Sequence, residues 1–259
     1  MDISKNVNTE KPDHAGGNPW FWRNEMVQRY DIQQSLVSEK KEEVLANITR
    51  IINYFCKINT IPAPKILDVG CGPGTPGTIS AYVLKDVPNC TLVGVDSSNQ
   101  MVEAANHNLK CERFVAYVGD FNSDSFWPEN TARLYDFIVS SGSLHYLADE
   151  RRIPFIKEIY DHLENNGILI AGIGTCSEYP EICEMEQVFR TEFTYSRVPE
   201  DKKARGFEEF RKSFTEIDKK AKINWKNQTT WLDAIKMAGF RSADVVWSHW
   251  VRSIFLGIK

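Results

Sequence analysis

The chain has no CxxC pair, no apolar run near the roughly 20 residues that cross a bilayer, and no large excess of either charge sign. Each absence removes a class of function. Six scattered cysteines, Cys56, Cys71, Cys90, Cys111, Cys176 and Cys183, predict free thiols rather than a disulfide framework or a zinc site, and no metal site is expected. With 31 basic and 35 acidic residues, net −4, the chain is not built to hold nucleic acid by its overall field. The polar opening, Met1 to Glu10, lacks the apolar core of a signal peptide, so the expectation is a cytoplasmic protein with no membrane association.

What is present is average in amount and specific in order. With 259 residues, 42% of them hydrophobic, one large domain with an insertion can bury its own core. Residues 1 to about 19 read as a disordered tail, followed by the aromatic and basic stretch Trp20-Phe21-Trp22-Arg23 and then Tyr30-Asp31. A helix is predicted from about Ser38, as N-cap, with Val44, Ile48, Ile51, Ile52 and Phe55 on one face.

From Lys65 short β-branched runs alternate with helical stretches. Strands are predicted at 65–69, 91–95, 114–118, 135–140 and 167–173, and helices near 76–86, 99–109 and 149–164. That alternation predicts a doubly wound, Rossmann-like α/β sheet. The rhythm breaks over 174–224, then resumes with a helix at 228–238 and two runs, 241–247 and 250–258. Only Ser248-His249 separates these, so they pair as an antiparallel hairpin. The expected fold is a seven-stranded, mostly parallel sheet ending in an antiparallel strand. Residues 1–60 form a tail and helical cap, 61–173 and 225–259 the core, and 174–224 a lid over the substrate.

The loop Asp68-Val69-Gly70-Cys71-Gly72-Pro73-Gly74-Thr75-Pro76-Gly77 follows the first strand, with Thr75 suited to N-cap and Pro76 to the first position of the next helix. Gly72, Gly74 and Gly77 also satisfy the dinucleotide fingerprint, with Asp96 beyond them. On pattern alone both readings stand. Asp68 would repel a pyrophosphate and attract an ammonium group, Asp96 ends the second strand where it can accept two ribose hydroxyls, and Asp120-Phe121 ends the third beside a base pocket.

With these residues in this order the sequence resembles the class I S-adenosylmethionine-dependent methyltransferases, in their small-molecule branch. Asp68 to Gly74 is similar to the family's glycine loop, Asp96 to its ribose acid, Asp120-Phe121 to its adenine contact, and Asp136 to Ser141 to its fourth-strand motif. The resemblance implies S-adenosylmethionine as cofactor, S-adenosylhomocysteine as product, and a cofactor set of Tyr30, Asp68, Gly70, Cys71, Gly72, Gly74, Asp96, Ser97, Met101, Asp120, Phe121 and Ser140. It implies methyl transfer to oxygen or nitrogen of a small molecule by a monomer or homodimer. His145, just past the fourth strand, is the candidate general base, or else orders the cofactor or packs at the pocket wall. The alternatives are an NAD(P)-dependent oxidoreductase and a non-catalytic cofactor-binding regulator.

Overall fold

The structure is a computed structural model, which describes residues 27, 29–129, 134–203, 206–221 and 223–259. The expectations for the tail and for Trp20 to Arg23 lie outside the described residues. Two helices open the fold, α1 (Tyr30–Val37) and α2 (Lys41–Ile58). There follow β1 (Lys65–Val69), α3 (Ile79–Asp86), β2 (Thr91–Asp96), α4 (Asn99–Asn108), β3 (Phe114–Val118) and β4 (Tyr135–Ser141). After a 3₁₀ turn (Leu144–Tyr146) come α5 (Asp149–Asp161) and β5 (Leu163–Gly174). The chain then runs through α6 (Pro180–Arg197), α7 (Glu200–Lys203) and α8 (Phe207–Lys220) to α9 (Gln228–Met237), β6 (Ser242–His249) and β7 (Arg252–Ile258).

The seven strands lie in the order β3-β2-β1-β4-β5-β7-β6. β1 to β5 run parallel, and β7 runs antiparallel between β5 and β6. β1 and the second half of β5 are buried almost throughout, because helices cover both faces of the sheet. On one face Val44, Leu45, Ile48 and Ile52 of α2 pack with Ile66, Phe137, Val139 and Ile170. On the other, Phe155, Ile156 and Ile159 of α5 and Trp231 and Ile235 of α9 pack with Leu67, Ile138 and Leu169.

Several boundaries differ from the sequence reading, each for a local reason. Ser38 does not cap α2. It closes α1, its Oγ donating to Gln34 Oε1 at 3.0 Å, and Lys40 in the left-handed region starts α2 instead. Thr75 does not cap α3, because its hydroxyl donates to Asp31 Oδ1 at 2.6 Å; the helix begins at Ile79. β5 starts at Leu163, ahead of a bulge in its pairing with β4 between Tyr135 and Phe137. The hairpin turn is Trp250-Val251 rather than Ser248-His249.

The cysteine expectation also fails in one place. Cys176 and Cys183 form a disulfide, while Cys56, Cys71, Cys90 and Cys111 are free. Between the pair, Pro180 starts α6, and the chain turns back within one helical turn to bring the two Cα atoms to 5.3 Å. Cysteine usage therefore gives no support to a reducing compartment. Among the described residues no helix is long and apolar enough to cross a membrane.

Gly74 and Gly142 share a positive φ, +65° and +78°, but differ in surroundings. A Cβ at Gly74 would lie 2.8 Å from Leu109 and 3.0 Å from Ala105, whereas one at Gly142 meets nothing within 4 Å. Gly142→Ala is expected to cost about 1 kcal/mol, from backbone strain alone, and Gly74→Ala about 3 kcal/mol. Urea denaturation of the two variants measures the difference.

Candidate functional site

β1, β2 and β4 end at one edge of the sheet, where the chain reverses between their crossovers, and a cleft opens there as it does in doubly wound sheets. Counted out to its open mouth, it has a volume of about 1160 Å³. Its walls come from all three parts of the chain. Tyr30, Gln34 and Val37 of α1 form one side, Gly70, Gly72, Asp96 and Ser97 the floor, and Arg190, Trp225 and Arg252 the far side.

Asp96 organises the floor. Its Oδ2 accepts the Gly72 amide at 3.0 Å and its Oδ1 the Ser98 amide at 3.0 Å, so one carboxylate ties the loop after β1 to the end of β2. Burial raises its pKa, and those backbone donors oppose the rise. Each oxygen still has lone-pair capacity for a second donor. Met101, ordered at the start of α4 by its amide bond to Ser98 Oγ at 3.3 Å, and Phe121 line the cleft beside it.

Tyr30 lies over the glycine loop; a Cβ at Gly72 would be 3.6 Å from its ring. Burial, then the nearby Asp96 charge, push its phenol pKa well up. The neighbouring Asp31 fastens α1 to the loop through Thr75.

Of the sequence-predicted set, Tyr30, Gly70, Gly72, Asp96, Ser97, Met101, Phe121 and His145 line the cleft. Five do not. Asp68 is fully buried behind the floor, its Oδ2 accepting from Ser80 Oγ at 2.6 Å. Cys71 is buried with its thiol against Gly94, where an added Cβ would lie 2.8 Å from Sγ. Gly74 lies under Leu109 of the segment after α4. Asp120 sits between the lining residues Gly119 and Phe121, its Oδ1 turned back to the Asn122 amide at 2.9 Å. Ser140 is buried and donates to the Val69 carbonyl at 3.0 Å, leaving Ser141 and Ser143 as the lining serines of that strand end.

The far half of the cleft was largely missed from sequence. His145 stands there with its ring parallel to Trp225, centroids 6.3 Å apart. Its Nδ1 accepts the Gly174 amide at 3.3 Å, which assigns the ring proton to Nε2. Burial, then the charges of Arg252 and Arg190, push its pKa down to about 3. Arg190, on α6, forms a two-point ion pair with Asp218 of α8, through Nη1 and, at 3.0 Å, through Nη2. Its guanidinium also covers the rings of Phe214, at 4.4 Å, and Trp225, at 5.0 Å.

The aromatics of residues 174–224 pack chiefly with one another. Tyr195 meets Phe207 and Phe210, Phe210 stacks on Phe214, and Phe189 meets Trp250 of the hairpin turn. None of these rings lines the cleft; Trp225, just beyond the segment, does. A signal for Arg252 existed: β7 runs antiparallel, so its first residue, paired with Gly174, stands at the edge where the parallel strands end.

Residues 66–167 match the model of a methyltransferase domain family. Over that span, less than half of the chain, the sequence is similar to the methyltransferase domain that this family model describes. It is 32% identical over 113 residues to a carboxy-S-adenosyl-L-methionine synthase of Shewanella piezotolerans, a match covering 42% of this chain and 44% of that one. It is 29% identical to a malonyl-[acyl-carrier protein] O-methyltransferase of Halalkalibacterium halodurans, covering 40% of this chain and 37% of that one. The chain thus spans under half the length of these two relatives. Human N-acetylserotonin methyltransferase, solved in complex with S-adenosylmethionine, superposes with a TM-score of 0.58 at 17% identity, over 93% of this chain and 58% of that one. At that identity the likeness is one of fold.

Asp68 permits a test of whether the buried layer under the site is kept for stability. Burial raises its pKa from 3.8 to about 7, and one oxygen, Oδ1, has no hydrogen-bond partner among the described residues. The unfolded chain releases this proton near pH 4 while the folded one retains it until about pH 7. Asp68 therefore favours the folded state below pH 4 and loses that contribution as pH rises to 7. Relative to Asp68→Asn, wild-type stability is expected to fall by about 1 kcal/mol per pH unit across that window, leaving the variant more stable at pH 8. Denaturant unfolding at several pH values measures this.

Proposed function

We propose that the protein transfers a methyl group from S-adenosylmethionine to an oxygen or nitrogen of a small-molecule acceptor, the S–CH3 bond breaking as the O–CH3 or N–CH3 bond forms, with S-adenosylhomocysteine leaving as the neutral thioether and the acceptor's proton, where it carries one, passing to solvent at the cleft mouth. One observation carries the reading: a single cleft joins a half lined by Gly70, Gly72, Asp96, Met101 and Phe121 to a half lined by His145, Trp225, Arg190 and Arg252. The first half suits an adenosyl group and the second leaves room for an acceptor alongside it. The residues fit a cationic amino-acid cofactor. Asp96 has acceptor capacity for ribose hydroxyls, the serines of the β4 end and the loop backbone face the cleft, and the orphaned Asp68 Oδ1 lies in the layer beneath. When bound, S-adenosylmethionine supplies an activated methyl on a sulfonium.

The remaining work is alignment and exclusion of water. Tyr30 and α1 cover the glycine loop, and α6, held to α8 by the Arg190–Asp218 pair, forms the opposite wall. His145 is assigned a role different from the base of the sequence reading. Its neutral ring donates from Nε2 and orients the acceptor, because a group titrating near pH 3 takes up no useful share of protons at neutral pH. The dinucleotide reading is disfavoured at its third glycine: a Cβ at Gly77 would lie 2.7 Å from Asp31 Oδ1, an acid placed where a pyrophosphate would need to approach.

Calorimetry tests the reading. S-adenosylhomocysteine is expected to bind, and Asp96→Ala to weaken it by about 100-fold, or about 2.7 kcal/mol, with unchanged circular dichroism. Binding of NAD without either sulfur nucleoside contradicts the proposal. Binding without labelled-methyl release into any metabolite mixture favours the regulator. For His145, the pH profile of kcat/KM is expected to keep its shape in His145→Gln while the rate falls about tenfold. Loss of a limb between pH 6 and 7 in that variant restores the base assignment.

A further inference from the structure

Of the two arginines of the far wall, Arg252 is the one that makes no ion pair among the described residues. The other arginine there, Arg190, is committed to Asp218 by two hydrogen bonds and stacked between Phe214 and Trp225. Arg252 makes no ion pair and no side-chain hydrogen bond with any described residue, although it lines both the main cleft and a small recess behind it. The acid of that recess, Glu39, is turned to His249, 3.3 Å from its Nε2.

The charges around Arg252 make this arrangement costly. Arg190 repels it, and Lys41 stands close enough that Arg252 helps lower the Lys41 pKa. Glu39, Tyr30 and Tyr146 offset this only in part: burial, then Arg190, push the Arg252 pKa down to about 10. The group stays charged at neutral pH. A half-buried guanidinium without an ion-pair partner is stabilised by a ligand that brings one.

The shape of the surroundings narrows the ligand. With Arg190 already occupied by Asp218, a single guanidinium fork is open, and that planar pair of donors matches the two oxygens of a carboxylate. Trp225, Ile223 and Val251 line the same half of the cleft and offer it an apolar wall. His145, held neutral, supplies a further donor.

We propose that Arg252 determines acceptor specificity and that the methyl acceptor is a small carboxylic acid, its carboxylate in the Arg252 fork and its apolar body against Trp225, Ile223 and Val251. This deepens the methyl-transfer reading and rests on it. Arg252 lies on the acceptor side, so it is expected to matter for the acid and not for the cofactor.

The test is calorimetric titration of benzoate, benzamide and inorganic phosphate into the protein, first loaded with S-adenosylhomocysteine and then free of it. Benzoate is expected to bind at least about tenfold more tightly than benzamide, and more tightly than phosphate. Arg252→Met is expected to abolish the preference for benzoate while leaving the Kd of S-adenosylhomocysteine within about twofold; Arg252→Lys, which keeps the charge and loses the fork, should retain only a small part of it. Equal binding of benzoate and benzamide, preference for phosphate, or a preference that survives in Arg252→Met overturns the proposal. Those comparisons on wild-type protein need no variant to fold. Should S-adenosylhomocysteine fail to bind, the methyl-transfer reading falls, and the benzoate–benzamide comparison on the unloaded protein still decides the role of Arg252.

Discussion

Two backbone amides from different loops, Gly72 and Ser98, converge on the carboxylate of Asp96, each at 3.0 Å. Because β1 and β2 are hydrogen-bonded neighbours, this acid closes a small ring: strand, glycine loop, carboxylate, strand. The glycine loop cannot move outward without leaving the Gly72 amide and one oxygen of a partly desolvated carboxylate unpaired. Tyr30 rests on that loop, Asp31 is fastened to it through Thr75, and α1 in turn packs on α6. The position of α1 and, through it, of Arg190 on α6 therefore follows from how the floor is held.

The cleft is electrostatically divided. Its floor has Asp96 exposed to it and Asp68 beneath, and its far wall has Arg252, with Arg190 neutralised and His145 kept uncharged. A ligand pair with positive charge near the floor and negative charge at the wall complements both ends. His145 does not titrate near neutrality chiefly because it is buried, and the cations that suit an anionic partner add to this by disfavouring a charged imidazole. Asp68 beneath the floor carries an oxygen with no hydrogen-bond partner among the described residues, so its burial is a cost to the ionised form.

The central sheet was legible because its signals are local. β1 and β3 have the limits predicted from apolar runs, and the paired closing strands follow from two runs divided by a short turn. Helix starts were less legible, since Ser38 and Thr75 have capping chemistry but spend it on Gln34 and Asp31, partners that only the folded chain brings near. At the site, residues whose role depends on backbone position, such as Gly72 and Asp96, could be read from motif order. Neighbours within the same motifs, Cys71 and Ser140, turn inward because strand and loop side chains alternate between faces. The far wall was not legible from spacing. Arg190, Trp225 and Arg252 lie on three separate elements, and the Cys176–Cys183 bond depends on a turn that no cysteine pattern announces.

The most direct measurement is a crystal structure of the protein with S-adenosylhomocysteine. The account predicts the ribose hydroxyls on Asp96, the base beside Met101 and Phe121, and the thioether sulfur opening toward His145 and Arg252. A ligand that leaves Asp96 unengaged, or whose sulfur faces away from the Arg252 wall, would contradict it.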